Sequence, residues 1–211
     1  MSIGTSVRQM LGPLERPVSK AYRAIFVDLL AFVKKIKNWV PEQSILEILE
    51  VGCGEGLLTE LLAKEYCNSR VSGIDISPRV GRLFRGDANR VFFRQIEIQS
   101  FVRESHSNFD LVVIADVLHH IPLKMRKESL GYVREIMKPG ALLVVKDWER
   151  TPMPIHALAY FSDRYITGDR VYYYTASELR NLIKDVFGKN AVKDEAWIHP
   201  WFNNVAFFIQ I

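Results

Sequence analysis

The chain has 211 residues, 48% of them apolar and 25% charged, with a net charge of +4. This length holds one well-buried domain with room for an extension, since domains commonly span roughly 100–200 residues, and the composition excludes a disordered chain. No apolar run approaches the ~20 residues a bilayer crossing requires, and two cysteines are too few for a disulfide scaffold.

The positive charge is local. Residues 1–40 carry Arg8, Arg16, Lys20, Arg23, Lys34, Lys35 and Lys37 against Glu15 and Asp28, so the rest of the chain is slightly acidic. A protein that grips nucleic acid across its folded face would be basic over that face, which argues against such a partner. The opening "MSIGTSVRQMLGPLERP" lacks the charged, apolar and cleavage regions of a secretory signal. A reducing cytoplasm is therefore the expected setting.

In chain order, "VSKAYRAIFVDLLAFVKKIKNW" places Ala21, Ile25, Leu29, Phe32, Val33 and Ile36 near helical spacing and predicts one helix from Val18 to Trp39, ended by Pro41. It reads as a packed helix with a lysine-rich edge, or as a basic amphipathic helix that covers a substrate or touches an anionic membrane. Thereafter strands and helices alternate. "ILEILEV", "RVSGIDI", "RVFFRQIEI", "FDLVVIADVL" and "ALLVVKDW" read as strands; "LLTELLAKEY", "PRVGRLFRG" and "KMRKESLGYVREIM" read as helices, the last stopped by Pro139-Gly140. "TASELRNLIKDVF" is a helix capped by Thr175, with Glu178 completing a capping box. "NAVKDEAWI" and "NNVAFFIQI" close the chain as a pair of strands. Such alternation predicts an α/β fold, a mostly parallel sheet covered on both faces that binds ligands at the strands' carboxyl ends.

One loop lies where such a ligand would sit. "EVGCGEG", Glu50 to Gly56, follows the first strand with three alternating glycines, Gly52, Gly54 and Gly56. A dinucleotide loop would read G-x-G-x-x-G, but Leu57 stands where its third glycine belongs, and no phosphate loop is present. A carboxylate at Glu50 would repel a pyrophosphate and attract a cationic ligand.

Here the chain resembles the class I S-adenosylmethionine-dependent methyltransferases. "EVGCGEG" is similar to that family's first motif, "GIDIS" to its second, "FDLVVIADVLHHIP" to its fourth and "MKPGALLVVKD" to its fifth, in the family's order over most of residues 45–147. The resemblance implies a Rossmann-like seven-stranded mostly parallel sheet with an antiparallel last strand and helices on both faces. It divides the chain into a helical extension or lid (1–40) and a methyltransferase domain (41–211). It implies S-adenosyl-L-methionine as cofactor, held by Glu50, Gly52, Cys53, Gly54 and Gly56. Asp75, nineteen residues after Gly56, would accept from the ribose hydroxyls beside Ile76. Glu97 stands where the family usually has aspartate near the adenine amine, and Ala115 and Asp116 would line the methionine end. Tyr22 is a candidate lid residue for the cofactor's carboxylate. Asp75 is otherwise a helix N-cap.

Acceptor chemistry has three candidates. His120 and His119 follow the fourth strand, and an imidazole can take a proton near neutral pH; the pair could equally hold the loop in place. Asp147 ends the fifth strand facing the same rim. No metal is expected, because adjacent histidines point apart and no ligand cluster accompanies them. Residues 156–175 are rich in aromatics, with Tyr160, Phe161, Arg164, Tyr165 and Tyr172 to Tyr174 forming either an acceptor pocket or a packing shelf for the N-terminal helix. The function expected is methyl transfer to a small organic or lipid-like acceptor. The alternatives are RNA or protein methylation, or cofactor binding without catalysis.

Overall fold

The computed structural model describes residues 15–41, 44–105, 108–161 and 171–211, without the side chains of Glu15, Lys20, Tyr22 and Arg23. The predicted N-terminal helix is two helices, α1 (Glu15–Phe26) and α2 (Leu29–Trp39). Asp28 causes the break. Its extended backbone leaves the helix and its carboxylate accepts from the Ala31 N–H at 2.9 Å, capping α2.

Seven strands follow: β1 (Glu47–Val51), β2 (Arg70–Asp75), β3 (Val91–Gln95), β4 (Phe109–Ala115), β5 (Met137–Trp148), β6 (Val192–Trp197) and β7 (Asn204–Gln210). They form one sheet in the order β3-β2-β1-β4-β5-β7-β6. The first five are parallel, and β7 runs antiparallel between β5 and β6. The remaining helices are α3 (Leu57–Glu65), α4 (Ile98–Glu104), α5 (Leu123–Glu135), α6 (Pro154–Phe161) and α7 (Ala176–Phe187). The Rossmann-like sheet with a reversed last strand is thus present.

Each face of the sheet has its own core, because successive strand residues point to opposite sides. Leu143 and Val145 join Leu130 and Val133 of α5 and Leu179 and Ile183 of α7. Val144 points the other way, toward Phe32 and Ile36 of α2 and Leu58 and Leu62 of α3. Fully burying one such side chain contributes about 1.5–3 kcal/mol. With Phe32, Val33 and Ile36 all buried, α2 is anchored by several kcal/mol.

The hold on α1 is polar: Arg16 reaches Glu60 of α3 at 2.5 and 2.7 Å, with both side chains about a quarter exposed. Such pairs contribute about 1 kcal/mol or less. Added to this are the Trp201 indole donating to the Ile25 carbonyl and the Phe26 ring edge-on to Trp148 at 5.7 Å.

Three local expectations are corrected. Residues 78–86 form turns and no helix: Gly81 takes φ +68° and lies flat beneath the Phe93 ring, a conformation that a continuing right-handed helix cannot contain. Helix α5 ends at Glu135, ahead of Pro139-Gly140, because Met137 already pairs with Phe109 at the start of β5. Within the aromatic segment, Pro154–Phe161 is a helix. Thr175 does build its capping box, accepting from the Glu178 N–H while Glu178 accepts from the Thr175 N–H.

Candidate functional site

Parallel strands put their carboxyl ends on one edge, and in this edge lies a cavity of about 940 Å³. Its walls come from the loops after β1, β2, β3 and β4, from the end of β5, and from α1 and the break behind it. Of the residues singled out in the sequence, Glu50, Gly52, Cys53, Gly54, Asp75 and Ile76 line it on one side. Glu97, Ala115, Asp116, His119 and His120 complete the set.

The glycine loop and Asp75 are one unit. Gly52, Gly54 and Gly56 all have positive φ. The Gly54 N–H donates to Asp75 Oδ2 at 2.7 Å, and the Ser77 N–H to Asp75 Oδ1 at 2.7 Å. No helix follows Asp75, so it caps a turn and ties the two loops together. A Cβ on Gly54 would meet only Asp75 Oδ2, at 4.0 Å, so its absence opens backbone to the cavity. Gly56 instead turns away, against Gly81 and Phe93, and does not line the cavity.

Glu50 is 2% exposed and accepts from the Thr59 hydroxyl at 2.5 Å. Burial, with Glu50 and Asp75 nearby, pushes the Cys53 thiol far above its ordinary range, which leaves it a neutral packing group. Glu97 is exposed at the start of α4 and accepts from the Ser100 hydroxyl at 3.3 Å. Tyr22 lies on α1, but its side chain is outside the described residues.

Asp147 does not face the rim. It is 3% exposed, and β5 directs it to the underside of the turn after β4. There it is bonded to His119 Nδ1 and accepts from the His119 N–H at 3.1 Å and the Trp148 N–H at 2.8 Å. Burial pushes its carboxyl up, yet His119 beside it outweighs that and holds it below the usual carboxylate range. His119 is stacked on Tyr173, ring centroids 4.9 Å apart, and His120 lies 4.1 Å from His119.

The aromatic segment serves as a shelf in its described part. Tyr173 joins Trp148, Ile155 and Val171 in a small core on which Phe26 packs, while Tyr160, Phe161 and Tyr172 are exposed. Arg164 and Tyr165 lie outside the described residues. Of this segment Ala159 lines the cavity, whose apolar wall otherwise includes Phe26, Val27, Ile121, Met125 and Trp148.

Sequence reasoning missed two buried cations. Lys146, inside the apolar run "VVKDW", donates to Asp116 Oδ1 at 2.6 Å. Arg126 is fully buried and donates to the carbonyls of Ile121 and Tyr172, joining the turn after β4 to the chain before α7. Both carried a signal: a lysine within a strand, and an arginine on the stripe of Leu130 and Val133.

With this geometry the comparisons agree. Residues 49–143 match the methyltransferase domain family. This match covers somewhat less than half of the chain. A ubiquinone biosynthesis O-methyltransferase of Xanthomonas campestris is 32% identical over 126 residues, 56% of this chain and 49% of that protein. The chain thus spans about half the length of the curated relatives it matches. Two solved structures share the fold. One is a 1,6-didemethyltoxoflavin-N1-methyltransferase of Burkholderia thailandensis with bound 1,6-didemethyltoxoflavin and S-adenosylhomocysteine (14% identity, TM-score 0.67, 97% of this chain and 86% of that one). The other is the magnesium protoporphyrin IX methyltransferase of Synechocystis with bound SAH (17%, 0.63, 99% of each chain). Among the described residues, no helix is long and apolar enough to cross a membrane, and no group of three or more His, Cys, Asp or Glu could hold a metal ion.

Proposed function

We propose that this chain transfers a methyl group from S-adenosyl-L-methionine to a small organic or lipid-like acceptor. One observation carries the reading: a single cavity joins the Gly54–Asp75 cradle to the His119–Asp147 pair. The named relatives, which act on ubiquinone precursors, toxoflavin and protoporphyrin skeletons, support a small-molecule acceptor.

The residues present fit the cofactor. Open backbone at Gly54 admits a close-lying ligand, the buried Glu50 favours a cationic one, and Asp75 keeps lone pairs for ribose hydroxyls after its two backbone bonds. Glu97 is in reach of the cavity for an adenine amine. When bound, S-adenosylmethionine supplies an electrophilic methyl on a positively charged sulfur. The chain's own task is then orientation and proton removal. Phe26, Val27 and Trp148 exclude water and hold the acceptor's apolar body. His119 takes the base role ahead of His120, because Asp147 accepts from its Nδ1–H and leaves Nε2 as the basic atom.

Within residues 1–40 the lid is α1: its Ser19 and Phe26 line the cavity beside Leu29 of the anchored α2. The weak polar hold on α1 lets it open. Exposed Ile25 of α1 and Leu30, Lys34 and Lys35 of α2 support contact of this N-terminal segment with an anionic membrane surface. Two cysteines, too few for a disulfide scaffold, support a cytoplasmic setting.

The test is calorimetry with S-adenosylhomocysteine, followed by turnover of labelled S-adenosylmethionine against a metabolite extract and against RNA. Saturable binding and label in small molecules are expected. Absent binding, or label confined to RNA or protein, overturns the reading.

A further inference from the structure

The cavity holds a second charge pair, and its position is informative. Lys146 has a side chain 0% exposed, and its ammonium donates to Asp116, whose side chain is 24% exposed on the cavity. Desolvating an ammonium is costly, and an apolar residue would serve stability as well or better. Asp116 also has φ +59°, the one positive φ outside glycine among the described residues. Such strained backbone concentrates at functional sites.

Direction matters too. The glycine loop leaves β1, whereas Lys146 lies on β5, across β4 from β1. Its ammonium sits 5.9 Å from the centroid of the Trp148 ring on the apolar wall. Lys146 thereby holds the Asp116 carboxylate on the cavity, near its apolar wall. Only Oδ1 is engaged by Lys146; Oδ2 takes no hydrogen bond among the described residues.

We infer that Asp116, positioned by Lys146, selects the acceptor: its Oδ2 receives a hydrogen bond from a second donor group, a hydroxyl or amine, on an otherwise apolar acceptor. This rests on the function proposed above, and it moves Asp116 from the cofactor set to the acceptor set. Lys146 is a positioning residue, since it acts through Asp116 alone.

The experiment compares wild type, Asp116→Asn, Lys146→Met and the double variant. Asparagine tolerates positive φ, so the first substitution keeps the backbone. Each protein is titrated with S-adenosylhomocysteine by calorimetry. Its product complex is then titrated with 4-tert-butylcatechol and 4-tert-butylphenol, which share an apolar body and differ by one hydroxyl. Wild type is expected to prefer the catechol about tenfold to a hundredfold, the range of a hydrogen bond to a charged group.

Both single variants are expected to lose most of that preference while keeping product affinity within about threefold, and the double variant to lose no more than either, as for groups acting as one unit. A preference that survives either substitution overturns the inference. So does a wild-type complex that binds the probes equally or not at all, or a fall in product affinity at unchanged preference. Failure of wild type to bind S-adenosylhomocysteine at the first step sinks the underlying function as well, and is told apart because it precedes any probe.

Discussion

At the scale of single residues the site is a set of carboxylates with different partners. Asp75 spends one lone pair of each oxygen on backbone N–H groups and keeps the rest for a ligand. Asp75→Ala is expected to weaken S-adenosylhomocysteine binding about tenfold or more by calorimetry, since it removes hydrogen bonds to a charged acceptor. Asp147→Asn reverses the pairing with Nδ1 and is expected to lower turnover roughly a hundredfold or more with product affinity unchanged.

The Asp147 carboxyl also governs stability in acid. Its folded pKa lies below the ordinary carboxylate value of about 3.9, so it contributes stability above that value and loses it as pH falls through the folded one. Urea midpoints from pH 7 to pH 3 are expected to fall less steeply below about pH 4 in Asp147→Asn than in wild type. That Glu50, Gly52, Gly54 and Asp75 come together at one cavity was legible because each sits in a contiguous motif. The pairing of His119 with Asp147 was not, because β5 brings that carboxylate from 28 residues away.

Elements differ in how they are held. The α7 capping box joins Thr175 and Glu178 through neighbouring backbone, and it was readable because all its partners lie within one turn. Thr175→Ala is expected to cost about 1 kcal/mol in urea unfolding. The split of α1 from α2 was not readable, because apolar spacing runs unbroken through it. What decides it is tertiary: the Asp28 N–H donates to the His199 carbonyl at 2.8 Å, near the turn before β7, while its side chain caps α2. The Arg16–Glu60 tie holds α1 on α3. Arg16→Ala is expected to change global stability by less than about 1 kcal/mol while speeding hydrogen exchange in α1.

For the molecule as a whole, a ligand that binds the folded chain alone must stabilise it by mass action. S-adenosylhomocysteine at a hundred times its Kd is expected to add about 2.7 kcal/mol, which for a chain of this size raises Tm by roughly 5–10 °C in a thermal scan. No shift would mean that the cavity at the strand ends does not take this ligand.

The strands, the helices α3, α5 and α7 and the glycine turn were settled by the order of residues along the chain, since a hydrophobic period, a glycine turn and a cap are properties of near neighbours. The charge pairs beside the cavity were not. Lys146 and Asp147 are adjacent, yet one binds Asp116 and the other His119 on opposite faces of the sheet. Only the pairing of β4 with β5, in which Ala115 stands beside Lys146, determines which partner each one meets.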